Sequence, residues 1–539
     1  MFKRKSILSM ALAFILIFSN ALVFAQEAMP EVQPNPLGGG LSIPKRNASP
    51  WALDELVDSD RYGLYKAEDL YKGNLRELLS DDLKQNLLKN FKERLEVADL
   101  KAVEKPAYLA EVKNSKTRGG FLREIYNVLV LYENEENLGK DPIMYLNHTN
   151  IAVGSGRELF LDRNITTEEA ILFAKRAIDY IYKENDLASQ GLMWKVENKG
   201  NIVYLLGSIH YGTPDLYPLR DDIMKNFSES QALYVEVDIS NEEEMMRVMM
   251  EKMEELEKEL KESSKYQDGT TLESVLDKEL YSQIEDIMKK HNVAKEEYES
   301  LKIQGVEQKL NEIIVEEAFA NMPEENEAVS DKEMEEMMDE LSENEFMQLL
   351  IEGPKLGLDF YFLDKAKTSD KKVGELESME SQFELLFGGG GIFADNSGDL
   401  SQEELTDRLK EVLKNFDDAG NIVEREIPEG EEISDEDFEK EMEEALQEQV
   451  DIIDEMFDAV KKGDAEKLAK LFTESEGQEV FGAQLLGERD KDMAKRISEL
   501  LDGEEKKTYF VVAGAAHFVV DATIVDNLKN MGYTVERIK

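Results

Sequence analysis

A chain of 539 residues with 42% hydrophobic content is long enough for two or three domains and can bury at least one full core. Its formal net charge of −52 repels phosphate backbones and anionic lipid surfaces, which argues against nucleic acid as a partner. The lack of cysteine excludes disulfides, thiol catalysis and a lipid-modified cysteine.

Lys3, Arg4 and Lys5 precede an apolar segment from Ile7 to Phe18, and Val23-Phe24-Ala25 offers small residues for cleavage before Gln26. This is the layout of a secretory signal peptide over residues 1–25, because the apolar core is shorter than the ~20 residues of a membrane span. A retained anchor is the competing reading. No later stretch has membrane-spanning character, so the expected location is secreted or at the cell surface. Residues 26–45 carry prolines and the Gly38-Gly39-Gly40 run, a linker composition. Residues 46–190 predict a mainly helical region, in which Thr166 and Glu169 form a capping box that starts a helix. Its phrases SPWALDELVDSDRYGLY and LDRNITTEEAILFAKRAIDYIY resemble S-layer-homology-type helical modules, and that resemblance implies association with the cell wall. A helical spacer or packing domain is the alternative.

From Leu192 the pattern changes to strands. MWKVENKGNIVYLLGSIH, residues 193–210, predicts two strands joined through Asn198-Lys199-Gly200-Asn201, a hairpin turn. After a loop and a helix comes ALYVEVDIS, where Leu233, Val235, Val237 and Ile239 alternate with Tyr234, Glu236 and Asp238. One strand face is apolar and the other acidic. Residues 242–347 predict charged helices that border a site as a lid. Met245, Met249, Met253, Leu256 and Leu260 share one helical face there, either an adaptable surface for apolar ligands or a buried face. From Gly357 the chain predicts a helix, a turn and a strand from Val373 to Leu376 that brings Glu377 to its end. Residues 390–450 are dominated by acid and read as an insertion. Within them ADNSGDLSQEEL is two residues short of an EF-hand loop between Asp395 and its glutamates and reads as flexible. A helix from Val450 then leads to TYFVVAGAAH, residues 508–517, and the chain closes on a helix and a short strand.

Two stretches share one design. Ile202 to Leu206 and Thr508 to Ala513 are apolar β-rich runs, followed by Gly207 and Gly514, with His210 and His517 three places after each glycine. With 33 glycines in 539 residues, a given histidine has a glycine three positions earlier about one time in sixteen, so two such copies among four histidines are not accidental. Strand ends meet at one sheet edge, where α/β proteins place ligands and chemistry. His210 and His517 can therefore share one ion, with Glu236 as the third donor and Glu377 or Asp238 as reserve ligands or general bases. Two histidines and a carboxylate are a usual set for catalytic Zn, Mn, Co or Fe, and such an ion acidifies a bound water enough to attack a carbonyl. The competing reading is that each histidine hydrogen-bonds in a buried turn. His148 reads as a loop histidine, and His291 has no metal-ligand spacing around it.

LLGSIHYGTPDLYPL with ALYVEVDIS, DGTTLESVLDKELYSQIEDIMKKH, GLDFYFLDKAK with ELESMESQ, GERDKDMAKRI, and YFVVAGAAHFVVD with NMGYTVERI follow the order and style of the TraB/PrgY/GumN family, itself related to the Tiki metalloproteases. The resemblance covers roughly residues 191–539. It implies an α/β fold, a mixed central sheet flanked by helices, carrying a peptidase-like site that holds one divalent metal ion (Mn, Co or Zn). Carried over residue by residue, it assigns His210, His517 and Glu236 to the metal, and Arg489 to a substrate carboxylate or oxyanion. With Glu377 added from the residue reading as a candidate general base, the expected catalytic set is Glu236, Arg489 and Glu377. Two departures stand out: Glu488-Arg489-Asp490 has Asp where relatives carry Asn, and the stretch after His517 lacks a glycine common in relatives. The expectation is a secreted hydrolase that cleaves an extracytoplasmic peptide or protein. The rivals are a binding protein that sequesters a signalling peptide or haem without turnover, and a surface structural protein that acts through its acidic helices.

Overall fold

A computed structural model describes residues 43–320 apart from 99, 104–105, 107, 133–140 and 155–157, and then 349, 352–387, 400–423 without 418, 435–474 and 486–539. Residues 1–25, expected to be a signal peptide, nearly all of the expected linker 26–45 and the EF-hand-like piece around Asp395 lie outside these residues. Among the described residues no helix is long and apolar enough to cross a membrane.

Helices come first, as the sequence predicts: α1 (Leu53–Ser59), α2 (Asp81–Val97), α3 (Arg118–Leu129) and α4 (Thr167–Glu184). The Glu169 carboxylate accepts the Thr166 N–H at 3.2 Å to start α4, while Ile171, Ala174, Ile178 and Ile181 bury one of its faces. β1 (Leu192–Asn198) and β2 (Asn201–Ser208) then form an antiparallel hairpin. Its two turn residues, Lys199 and Gly200, sit at φ 52° and 88°, the geometry that suits the twist of the flanking strands. After α5 (Asp221–Glu229), β3 spans only Ala232–Val235, so the alternation that continues to Ile239 overstates the strand and the chain bends at Glu236. Next come α6 (Glu242–Ser263), α7 (Lys278–Lys290), α8 (Ile303–Ala320), α9 (Leu358–Thr368), β4 (Lys372–Glu375) and α10 (Gln402–Leu413). The helix expected from Val450 begins earlier, spanning Asp435–Lys462. It precedes α11 (Gly487–Asp502), β5 (Thr508–Gly514) and β6 (Val535–Ile538).

The sheet order is β4-β3-β5-β2-β1-β6. β4, β3, β5 and β2 run parallel, and β1 is antiparallel to both of its neighbours, which makes the mixed sheet of an α/β fold. The C-terminal ends of four strands therefore face one edge, with the late strand β5 between β2 and β3.

The chain divides into two compact units, residues 1–242, 341–377 and 446–539 in one, and 243–340 with 378–445 in the other. In the first, a single apolar core runs from Leu56, Phe91 and Phe173 of the N-terminal helices to Val203, Phe362, Phe510 and Val512 of the sheet layer. The helical region 46–190 is thus built into the same core as the strands. In the second unit, Ile284 and Met288 of α7, Val306 and Leu310 of α8, and Leu405, Leu409 and Leu413 of α10 bury one another. α10 comes from the acid-rich stretch expected to be flexible, and its leucines at four-residue spacing make that part a packed helix. On α6, Met245 is buried and Met250 is exposed; the side chains of Met249, Met253, Leu256 and Leu260 lie outside the described set.

Candidate functional site

The four parallel strands end beside the residues singled out in the sequence. His210 lies two residues past β2, Glu236 directly follows β3, Glu377 lies two residues past β4, and His517 sits in a short helix, Ala516–Val519, after β5. Gly514 closes β5 at their centre. A Cβ built there would stand 3.4 Å from His517 Cδ2, 3.5 Å from His210 Nε2 and 3.6 Å from Glu236 Oε2, so these atoms lie within about 7 Å of one another around a methyl-sized space. His517 Nε2 is itself 3.6 Å from Glu236 Oε2.

Each imidazole is backed by a buried carboxylate. His210 Nδ1 lies 3.2 Å from Asp359 Oδ2, which also accepts the Ser208 hydroxyl at 2.7 Å. His517 Nδ1 donates to Asp490 Oδ1 at 2.9 Å, and the Asp490 side chain is 0% exposed. Burial favours the neutral imidazole, but Asp359 and then Glu236 outweigh it at His210, and Glu236 with Asp490 outweighs it at His517, so both are pushed up to about 9. Burial would likewise raise Glu236, yet His517, Arg489 and His210 hold it well below the usual carboxylate range.

Arg489, at the start of α11, was expected to face substrate. Its Nε donates to Glu377 Oε1 at 2.9 Å, and its Nη2 donates to Glu236 Oε1 and Glu377 Oε2, both at 2.7 Å. The guanidinium therefore ties the two carboxylates together. Asp238 turns away into its own loop, where Oδ1 accepts from the Ser240 N–H and hydroxyl. His148 is exposed at the end of a short helix, and His291, in the second unit, meets the Gly420 carbonyl at 3.0 Å.

The donor types present, two imidazoles and a carboxylate, are ones that a divalent ion accepts. An imidazole whose Nδ1–H is given to a carboxylate has its tautomer fixed and its Nε2 lone pair turned outward, as in carboxylate–histidine–metal sites, and Gly514 keeps the space between the donors open. Among the described residues no three such side chains already form a complete cage. Glu236 is engaged elsewhere, with Oε1 on Arg489 and Oε2 accepting the Gly514 N–H at 3.2 Å.

Sequence reasoning missed Asp359 and treated Asp490 only as a departure. Both carried a signal: Asp359 is an acid inside the apolar run LDFYFL, and Asp490 is an acid where an amide was expected, next in sequence to Arg489.

The TraB/PrgY/gumN family matches residues 192–537. Shorter similarities link the chain to a metalloprotease TIKI homolog of Nematostella vectensis, 39% identical over 59 residues that are 11% of this chain and 12% of that protein. Metalloprotease TIKI1 of Xenopus tropicalis is 36% identical over 63 residues, 12% of each chain. A metalloprotease TIKI homolog of Amphimedon queenslandica is 35% identical over 77 residues, 13% of this chain and 15% of that protein. The chain thus spans about an eighth of the length of these relatives. No solved structure matches.

Proposed function

The chain belongs to the TraB/PrgY/gumN family, and from that footing we propose that it is a divalent-metal-dependent peptidase acting on an extracytoplasmic peptide or protein. The observation that carries this reading is the convergence of His210, His517 and Glu236 over Gly514, each imidazole backed by its own buried carboxylate. The name metalloprotease borne by the short-matched relatives supports it, and the signal-like layout of residues 1–25 supports the location.

His210 Nε2 and His517 Nε2 would hold the ion, with Glu236 as the third donor; Zn, Mn and Co all accept such a set. When bound, the ion would supply Lewis acidity and a water acid enough to attack a peptide carbonyl near neutral pH. Asp359 and Asp490 keep the Nε2 lone pairs aimed inward. Arg489 keeps Glu236 and Glu377 in register, and Glu377, bonded to Arg489 and not to an imidazole, takes the role of proton acceptor.

The test is metal content and peptide cleavage in wild type, His210→Ala, His517→Ala and Gly514→Ala. Both histidine variants should lose stoichiometric metal and at least ~100-fold in cleavage. The alanine methyl at 514 makes only ordinary contacts, so that variant should melt like wild type yet lose metal, because its Cβ takes the space between the donors. Equal metal and activity in all four proteins would remove the peptidase reading. A peptide or haem held stoichiometrically and recovered intact by mass spectrometry would favour a sequestering protein instead.

A further inference from the structure

We propose that the N-terminal helical region, which lies outside the family match, is a positioning subdomain for His210: Arg94 grips the loop that follows His210, while Arg46 and Arg61 fix the helix that carries Asp359. The proposal rests on His210 being a working group of the site proposed above.

The loop from Ile209 to Leu219 has no strand or long helix of its own to hold it. Gly212 N–H donates to the Gly353 carbonyl at 2.8 Å, and the Tyr217 hydroxyl donates to the Leu356 carbonyl at 2.8 Å, so the loop leans on the turn that starts α9. The approach is close: a Cβ on Gly357 would stand 2.3 Å from the His210 carbonyl oxygen. From the other side Arg94 of α2 forks into the loop. Its Nη2 donates to the Pro214 and Tyr217 carbonyls, both at 2.7 Å, its Nη1 meets Asp215, and its guanidinium stacks over Tyr182. A planar fork spreads its donors over separate nitrogens and so spans two carbonyls and a carboxylate in one fixed geometry, which the single nitrogen of a lysine does not reproduce.

The second grip acts on α9, whose first turn delivers Asp359 to His210. Within the next two turns its polar side chains are buried and meet residues 46–61. Tyr361 donates to Asp58 at 2.8 Å, Asp364 accepts from Arg46 Nη1 at 2.8 Å and from Arg61 Nη2 at 3.2 Å, and Lys365 meets Asp54 at 2.8 Å and Asp58 at 3.0 Å. Buried charges of this kind tolerate poorly the loss of a partner, so α9 is committed to the N-terminal region. His517, in contrast, is held by Asp490 and Glu236, both inside the family match. The support is therefore one-sided.

The test uses the full, metal-free chain with its four histidines labelled at 13C-ε1 and assigned by single His→Gln substitutions. Arg94→Gln and Asp364→Asn should each shift or split the His210 signal and leave that of His517 in place, and should speed amide exchange of residues 209–219 at least tenfold. Arg118→Gln is the control: it breaks another buried arginine's pair, with Glu169, in the same region, and should leave both site histidines alone. Should Arg94→Gln not fold, Arg94→Lys keeps the charge without the fork and should reproduce the His210 shift. A His210 signal unmoved in the folded Arg94 variant, or moved equally by Arg118→Gln, overturns the proposal. Neither readout needs metal or turnover, so this result stands apart from the success or failure of the peptidase reading.

Discussion

His210 and His517 set how the site responds to pH. Both have folded-state values pushed up to about 9, above the ~6.5 of a free imidazole. A group raised on folding stabilises in full below its unfolded value and loses that contribution as pH climbs through its folded value. The metal-free protein should therefore melt at a lower temperature at pH 9.5 than at pH 6.5, and the His210→Gln/His517→Gln double variant should show a smaller drop. An equal drop in both proteins would mean that these rings do not govern it. Metal needs neutral imidazoles, so zinc affinity measured by competition should strengthen over the same interval. The two histidines were readable because the strand-Gly-x-x-His phrase occurs twice, and Glu236 because it falls on the acidic side of an alternating run. The partner of Asp359 was not readable: an acid inside an apolar run marks a buried charge, but it gives no local sign of the imidazole it will meet across the fold.

The elements show how far pattern reaches. Apolar runs located β2 and β5, and the Asn-Lys-Gly-Asn turn located the hairpin. β3 came out shorter than its alternation because alternation reports which way side chains face, whereas a strand lasts only while neighbours pair with it. Val235 is the last residue of β3 matched by both Glu375 and Val512. In the acid-rich stretch, charge hid a helix: Leu405, Leu409 and Leu413 recur every four residues, but glutamate and aspartate dominate the composition around them. Leu409 is fully buried among α7, α8 and α10 residues, so Leu409→Ala should destabilise the second unit by about 2–5 kcal/mol. Amide exchange over residues 303–313 would report it; unchanged protection there would show that α10 does not belong to this core.

At the scale of the whole molecule, the family boundary and the folding boundary differ. The match begins at residue 192, yet the core that surrounds the strands includes Leu56, Phe91 and Phe173, and Asp364 and Lys365 find their charged partners between Arg46 and Arg61. A fragment of residues 191–539 should therefore fail to reach a cooperative fold. A soluble fragment with native circular dichroism and a single sharp melt would show that the preceding helices are dispensable.

The place of β5 carries one more consequence. β2 and β3 do not pair with each other; the strand that joins them starts at Thr508, far along the chain from Val235. On a growing polypeptide both earlier strands must wait with open hydrogen-bonding edges, a state prone to wrong pairing and in need of shielding. Insertion of that late strand seals the gap and delivers the second imidazole in the same event. A prematurely terminated product would therefore have neither a joined sheet nor the second imidazole.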